Sequence, residues 1–314
     1  MRRTTWVWLL LGVVWGSTWL FIKLGLEDLP PFTLAGLRFL FAAVVMWAYL
    51  ALRRARLPRS RRDWMLMIGT GLLTFGLDYG LVFWGENHIS AGLTSILFST
   101  MPLFVLVLAH FMIPSERMTP LKLAGILVGI GGVSLIFSRQ LQISDSLALW
   151  GGAAVLAAAA FAAVSSVLIR RRGGHLDPAV LTTIQMTCGC LPLLLIGFVF
   201  EGSPTSFHWT PMAWASLLYM AFVGSALAFV LLYWLLRQIG AVRSGLIIPF
   251  NTVVAVILGV TVLGEAFTWR TAVGGLLVLL GLIAASRLQE PLRHPPAGDS
   301  GRARPSGSRW YGQR

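Results

Sequence analysis

The chain is predicted to be an all-α integral membrane protein, with ten transmembrane helices in two inverted five-helix repeats. Three observations carry this. Of its 314 residues 56% are hydrophobic and only 12% charged, with a mean hydropathy of +0.77. A soluble chain carries about 25% charged residues. Apolar runs of roughly 18–25 residues recur from end to end, each long enough to cross a hydrocarbon core of ~30 Å. The chain also repeats itself. Glu116-Arg-Met-Thr119 runs on to Gly125 and Gly132, and Glu265-Ala-Phe-Thr268 runs on to Gly274 and Gly281 with the same spacing. A gapless offset of 149 residues pairs Ser95 with Ser244, Leu97 with Leu246 and Pro102 with Asn251. An odd number of spans per copy inserts the copies upside down relative to each other, a build that places one substrate site near the bilayer midplane.

Taken in order, the first span is Trp6–Gly25. Arg2 and Arg3 precede it as in a signal peptide, but no small-x-small cleavage site follows and Lys23 and Glu27 close it, so it is a retained helix. The second is Phe32–Leu52, and the third, Trp64–Trp84, is bracketed by tryptophans of an interfacial belt. The fourth, Ala91–Phe111, holds Pro102 near its middle, and the fifth is Leu121–Ser138. The second copy continues with Leu147–Leu168, Pro178–Phe200, Trp214–Leu236, Arg243–Leu263 and Trp269–Ser286. Residues 5–138 and 146–286 are therefore the two repeats. Residues 287–314, rich in Pro, Gly, Ser and Arg, are expected to form a disordered basic tail.

Charge sets the expected orientation. With the N-terminus in the cytoplasm, the inner side receives 21 of the 25 Lys and Arg, the outer side only Arg139 and Arg270, and Lys23 and Arg38 lie within spans. The positive-inside rule therefore puts both termini in the cytoplasm of a multi-pass inner-membrane protein. The same bias accounts for the net charge of +13. The basic runs lack aromatic interleaving at base-stacking spacing, which argues against nucleic acid. Anionic lipid headgroups at the cytoplasmic face are the expected partner instead. Cys188 and Cys190 lie two residues apart on one helix and point about 200° apart, so they do not pair with each other. Five scattered histidines show no metal-ligand spacing, and no nucleophile motif, phosphate loop or paired carboxylates appear. Neither enzymatic chemistry nor a cofactor is expected.

Charges inside a span are costly and are functional candidates by default. Lys23, about 11 Å outward of its span's centre, reads as an interfacial anchor within reach of Glu27. Arg38 and Asp78 lie at similar depth, about 5 and 6 Å outward of their centres. They are either a fixed ion pair that sets helix packing or a pair for gating or proton coupling. Pro102, and Pro249 with Asn251, interrupt the fourth and ninth spans at repeat-equivalent places, and the freed carbonyls either find packing partners or face a cavity. Trp15, Tyr79, Phe98, Phe161 and Tyr233 gather at comparable depth, as core packing or as cavity walls. A substrate site at the duplicated breaks would combine Pro102 and Asn251 with these aromatics. Glycine repeats such as Gly12 and Gly16, Gly125 and Gly129, and Gly274 and Gly281 are expected at close helix contacts.

Trp15-Gly-Ser-Thr-Trp-Leu-Phe-Ile-Lys23, Gly36-Leu-Arg38-Phe, Phe83-Trp-Gly-Glu-Asn-His-Ile-Ser-Ala-Gly-Leu93 and the two Glu-x-x-Thr turns together resemble the EamA family of the drug/metabolite transporter superfamily. The resemblance covers about residues 5–286. It implies a central cavity lined mainly by the first, third, fourth, sixth, eighth and ninth helices. It also implies export of amino acids, related metabolites or drug-like compounds across the bacterial inner membrane. This chain departs from the family pattern at Asn251, where a proline is usual, and at Asp78, where a neutral residue is expected. The function expected is therefore a secondary exporter of small metabolites working by alternating access. A lipid-linked sugar or lipid flippase subunit, or a membrane scaffold, is the alternative.

Overall fold

The computed structural model describes residues 3–114, 118–143, 146–245 and 247–286, and places ten helices and no strand among them. They are α1 (Arg3–Leu26), α2 (Pro31–Leu52), α3 (Arg61–His88), α4 (Ala91–Met112) and α5 (Pro120–Ile143) in the first repeat. The second repeat has α6 (Ser146–Arg172), α7 (Pro178–Glu201), α8 (Pro211–Leu218, Tyr219–Leu227 and Ala228–Gly245 in succession), α9 (Ile247–Val262) and α10 (Trp269–Ser286). Each span read from hydropathy coincides with one helix. Seven are long and apolar enough to cross a membrane, and α5, α9 and α10 contribute the shorter apolar stretches Pro120–Ile136, Ile247–Thr261 and Trp269–Ala284. The expected tail falls outside the described residues.

Local chemistry starts the helices where they start. Ser60, Ser90, Asp177 and Thr210 accept backbone N–H bonds at the beginnings of α3, α4, α7 and α8. Proline stands first in α2, α5, α7 and α8, where its missing N–H would be unpaired in any case.

Packing repeats the sequence symmetry. α1 packs on α9 as α6 packs on α4, and α2 packs on α8 as α7 packs on α3. α2 and α7 pack on each other, as do α5 and α10. Successive helices reverse, so the bundle has an N-terminal face and a far face. The Arg53–Asp177 ion pair and a His175–Asp63 hydrogen bond lie on the N-terminal face. Thr210 hydrogen-bonds Asp28 on the far face. The loop before α3 thus lies on one face and its repeat equivalent before α8 on the other, which is the inversion expected of five-helix copies.

The glycines sit where backbones meet. A Cβ on Gly281 would lie 2.4 Å from the Gly125 carbonyl oxygen, and one on Gly132 would lie 2.5 Å from that of Gly274. Gly12 and Gly16 bring α1 against Phe250, Asn251 and Val254 of α9. Both α3 and α8 carry a wide π-helical turn at matching places, Leu72–Asp78 and Tyr219–Leu227. Such turns insert an extra residue and recur at functional sites.

α4 breaks where expected. Its regular turns stop at Phe98 and resume at Met101. The Ser99 and Thr100 hydroxyls donate to the carbonyls of Ile96 and Leu97, both at 2.6 Å, satisfying backbone that Pro102 helps to disrupt. Pro249 and Asn251 lie within the regular turns of α9 from Ile247 to Val262, and the residue before Ile247 lies outside the described residues.

Candidate functional site

Where the two repeats meet, α1, α2, α3, α4, α8 and α9 enclose a cavity of about 230 Å³. α1 supplies Trp15, Thr18, Trp19 and Ile22, a stripe at helical spacing. α4 supplies Ser95, Phe98 and Ser99 before its break and Met101 beyond it, and α9 supplies Ile248, Asn251 and Thr252. Tyr79 and Val82 of α3, Phe229 of α8 and Arg38 of α2 complete the wall. Trp15 meets Phe229 edge-on at 6.1 Å, and Trp19 meets Phe98 at 5.7 Å. The cavity is thus an aromatic box with a few polar groups, the usual composition of a small-molecule site.

Arg38 is the charge in that wall. It is only 2% exposed, and its Nε donates to the Ser225 hydroxyl at 3.1 Å. Its guanidinium carbon lies 5.0, 5.2 and 5.8 Å from the ring centres of Phe39, Tyr79 and Phe83. Cation–π attraction lowers the cost of its burial. Among the described residues no carboxylate comes within ion-pair distance of it. On α7 the neutral amide of Gln185 donates to Thr70 of α3 at 2.8 Å.

Trp15, Tyr79, Phe98, Asn251 and Arg38 come together at this cavity, and the other residues singled out in the sequence do not. Asp78 is buried with its Oδ1 unpartnered, but it neither lines the cavity nor pairs with Arg38. It precedes Tyr79 by one residue and so points about 100° away around the helix. Equal depth did not bring the two charges together. Phe161 stays on α6, which contributes nothing to the wall, and Pro102 stands just behind Met101. Tyr233 shares a hydrogen bond with Thr182 and lines a separate pocket of about 190 Å³ on the N-terminal face. In that pocket the Arg53 guanidinium reaches Asp177 at 2.6 Å and tightens its hold on its proton through bonds to Tyr49 and Asp177. Burial alone would raise the Asp177 carboxyl, but the Arg53 bond and the N–H groups of Ala179 and Val180 outweigh it and hold the carboxyl low.

The far face is tied by acidic side chains to which the sequence assigned no such role. Glu265, in the turn between α9 and α10, accepts the N–H groups of Ala91 at 2.6 Å and Gly92 at 3.0 Å, at the start of α4. Glu201, ending α7, accepts those of Phe32 and Thr33 at 2.8 Å, at the start of α2. Both carboxylates meet the positive end of a helix dipole. Lys23 does not use Glu27. Its ammonium donates to the carbonyls of Glu86 at 2.6 Å and Ile89 at 2.8 Å, the negative end of α3.

This arrangement, two symmetric helical repeats around a polar-spotted aromatic cavity, agrees with the comparisons with known proteins. The model of the EamA-like transporter family matches residues 4–138 and again residues 149–287. The chain belongs to that family. It is 32% identical to an uncharacterized transporter of Bacillus subtilis, YoaV, over 86% of this chain and 92% of that one. It is 30% identical to a probable amino-acid metabolite efflux pump of Salmonella typhimurium, over 90% and 94% of the two chains. It is 27% identical to YedA, an uncharacterized inner membrane transporter of Escherichia coli, over 82% of each. A solved crystal structure at 20% identity superposes with a TM-score of 0.64 over 91% of this chain, which shares the fold. This EamA-like chain is thus a multi-pass membrane transporter.

Proposed function

We propose that this EamA-like protein exports small metabolites that carry a carboxylate, amino acids or related compounds, by alternating access of its two halves. It sits in the inner membrane with both termini cytoplasmic, so that the far face is the outer one, and its basic N-terminal face meets anionic lipid. The observation that carries the substrate class is Arg38, a buried guanidinium in the cavity wall with no acidic partner among the described residues. A bound carboxylate completes its charge and hydrogen bonding. Asn251 and the Ser95 and Ser99 hydroxyls offer neutral contacts, and Trp15, Trp19, Tyr79 and Phe98 cover the apolar part. The efflux-pump relative from Salmonella typhimurium supports the direction and the amino-acid class.

The test compares metabolites in medium and cytoplasm of cells with and without the protein. Carboxylate-bearing small molecules should move to the medium. Arg38→Gln and Asn251→Ala should reduce that export about tenfold, the effect of ~1.4 kcal/mol of lost contact, while each variant still inserts. Full export by both variants, at wild-type membrane levels, places the site elsewhere.

A further inference from the structure

Immediately outward of the cavity, one acid has no hydrogen-bond partner among the described residues. Glu86 is 0% exposed, and neither of its carboxyl oxygens has a hydrogen-bond partner. It lies on the face of α3 that bears Tyr79 and Val82, one turn beyond Val82, so it stands directly above the cavity roof. Lys23 stands above the roof on α1, next to the cavity-lining Ile22. The charges that act on Glu86 are Lys23 of α1, the Glu265 carboxylate of the α9–α10 turn and Arg38 of α2, and the other titratable residues near it along α3 are Asp78, Tyr79 and His88. The nearest cation does not serve it, because the Lys23 ammonium directs its hydrogens at two main-chain carbonyls, one of them that of Glu86.

Three elements converge on this spot. Lys23 ties α1 to the end of α3, and Glu265 ties the α9–α10 turn to the start of α4. Any opening of the cavity toward the far face parts these ties and admits water to Glu86. Closure does the reverse. A neutral carboxyl is buried there at modest cost, whereas an ionised one without a single donor is several times more costly.

We propose that Glu86 is a proton-binding site that governs the far end of this transporter. This rests on the alternating-access reading above. In the open state the carboxylate takes a proton from the outer water. The neutral group then permits α1, α3, α4 and the α9–α10 turn to close over it. The closed state binds the proton more tightly than the open one, so falling external pH favours closure and rising pH favours opening.

Accessibility of the cavity from outside tests this without knowledge of the substrate. In the full-length protein with Cys188→Ala and Cys190→Ala, Ser95→Cys places a reporter thiol in the cavity wall. A membrane-impermeant methanethiosulfonate is applied to sealed cells between about pH 6 and about pH 8.5, and Glu86→Gln is measured beside the parent so that thiol ionisation cancels. The ratio of parent to Glu86→Gln labelling rates should be near one at the acid end. It should rise to about tenfold at the alkaline end, a differential proton affinity of ~1.4 kcal/mol between the two states. Glu86→Gln removes no hydrogen bond that the carboxyl makes in this structure, and Glu86→Leu repeats the test with a second neutral side chain. A ratio independent of pH in either variant overturns the assignment of Glu86 while leaving transport intact. A reporter that reacts at no pH in any variant overturns outward opening itself, and the proposal with it.

Discussion

Arg38 and Asp78 show what a buried charge needs besides depth. Counting residues from the span ends places both at one level, but partnership depends on direction around the helix axis. Arg38 spreads its charge over three aromatic faces and Ser225, and Asp78 points elsewhere. The two residues should therefore act independently. In a double-mutant cycle of Arg38→Gln and Asp78→Asn, read by thermal unfolding in detergent, the coupling should fall below about 0.5 kcal/mol. A coupling of several kcal/mol would mean that they meet. Asp177 presents the opposite case, with every group accounted for. Its Oδ1 caps α7 while its Oδ2 meets Arg53. Because its carboxyl is held low in the folded state, the contribution is full above about pH 4 and is lost as pH falls through the lower, folded value. Asp177→Asn keeps the cap and should cost under about 1 kcal/mol, since the pair is about a third exposed. Asp177→Ala loses the cap as well and should cost about 1 kcal/mol more. Melting curves of the three proteins at neutral pH should rank in that order, and the gaps should shrink in acid.

At the scale of elements, what depends on counting along the chain was legible and what depends on rotation about a helix was not. Ten apolar runs gave ten helices, Pro102 marked the break in α4, and the duplicated glycines marked close contacts. Pro249 is matched by no break within Ile247–Val262, and the residue just before that stretch lies outside the described residues. The cavity was half legible. The π turn at Leu72–Asp78 adds a residue within α3, so a 3.6-residue period carried across it loses phase. Tyr79 and Val82 then face the cavity and Asp78 does not. Glu86 went unread because the apolar run ends at Trp84, while the helix continues to His88 and buries Gly85 and Glu86. The α5–α10 contact allows a clean test of the glycine argument. A methyl at Gly281 would meet the Gly125 carbonyl at 2.4 Å and the Gly129 nitrogen at 2.9 Å, both backbone atoms that cannot move aside. A methyl at Gly131, on the same pair of helices, meets nothing within 4 Å. Gly281→Ala should cost about 1–3 kcal/mol. Gly131→Ala should be neutral or slightly stabilising in the same thermal assay, by up to about 1 kcal/mol. Equal effects at the two positions would mean that α5 and α10 do not pack in this register.

For the molecule as a whole, function follows from two copies of one unit meeting head to tail. α2 and α7 are joined at both ends, by Arg53–Asp177 on the N-terminal face and by Glu201 with the Phe32 and Thr33 N–H groups on the far face. α5 and α10 are locked through glycine. These two self-paired contacts form a frame around the pseudo-two-fold axis. The cavity lies between helices whose ties, Lys23 to α3 and Glu265 to α4, are a few hydrogen bonds at one end. Hydrogen bonds of this kind break at about 0.5–3 kcal/mol each, within reach of a ligand's differential binding. Rocking of the two halves about a fixed midplane site needs the copies to be inverted and the far face to be the outer one. The 21 basic residues that the sequence assigns to the N-terminal side argue for that orientation, since the opposite one would carry them across the membrane. Two positions decide it. Ala266, in the far-face turn, and Arg59, in the loop between α2 and α3, are both exposed, and neither takes part in a tie between helices. With the native cysteines replaced, a Cys at Ala266 should react with an impermeant maleimide applied to intact cells, and a Cys at Arg59 should react only after the membrane is opened. The reverse pattern would place the basic face outside and overturn the assignment of the far face as the outer one. Labelling of both from outside would break the inversion on which a shared midplane site depends.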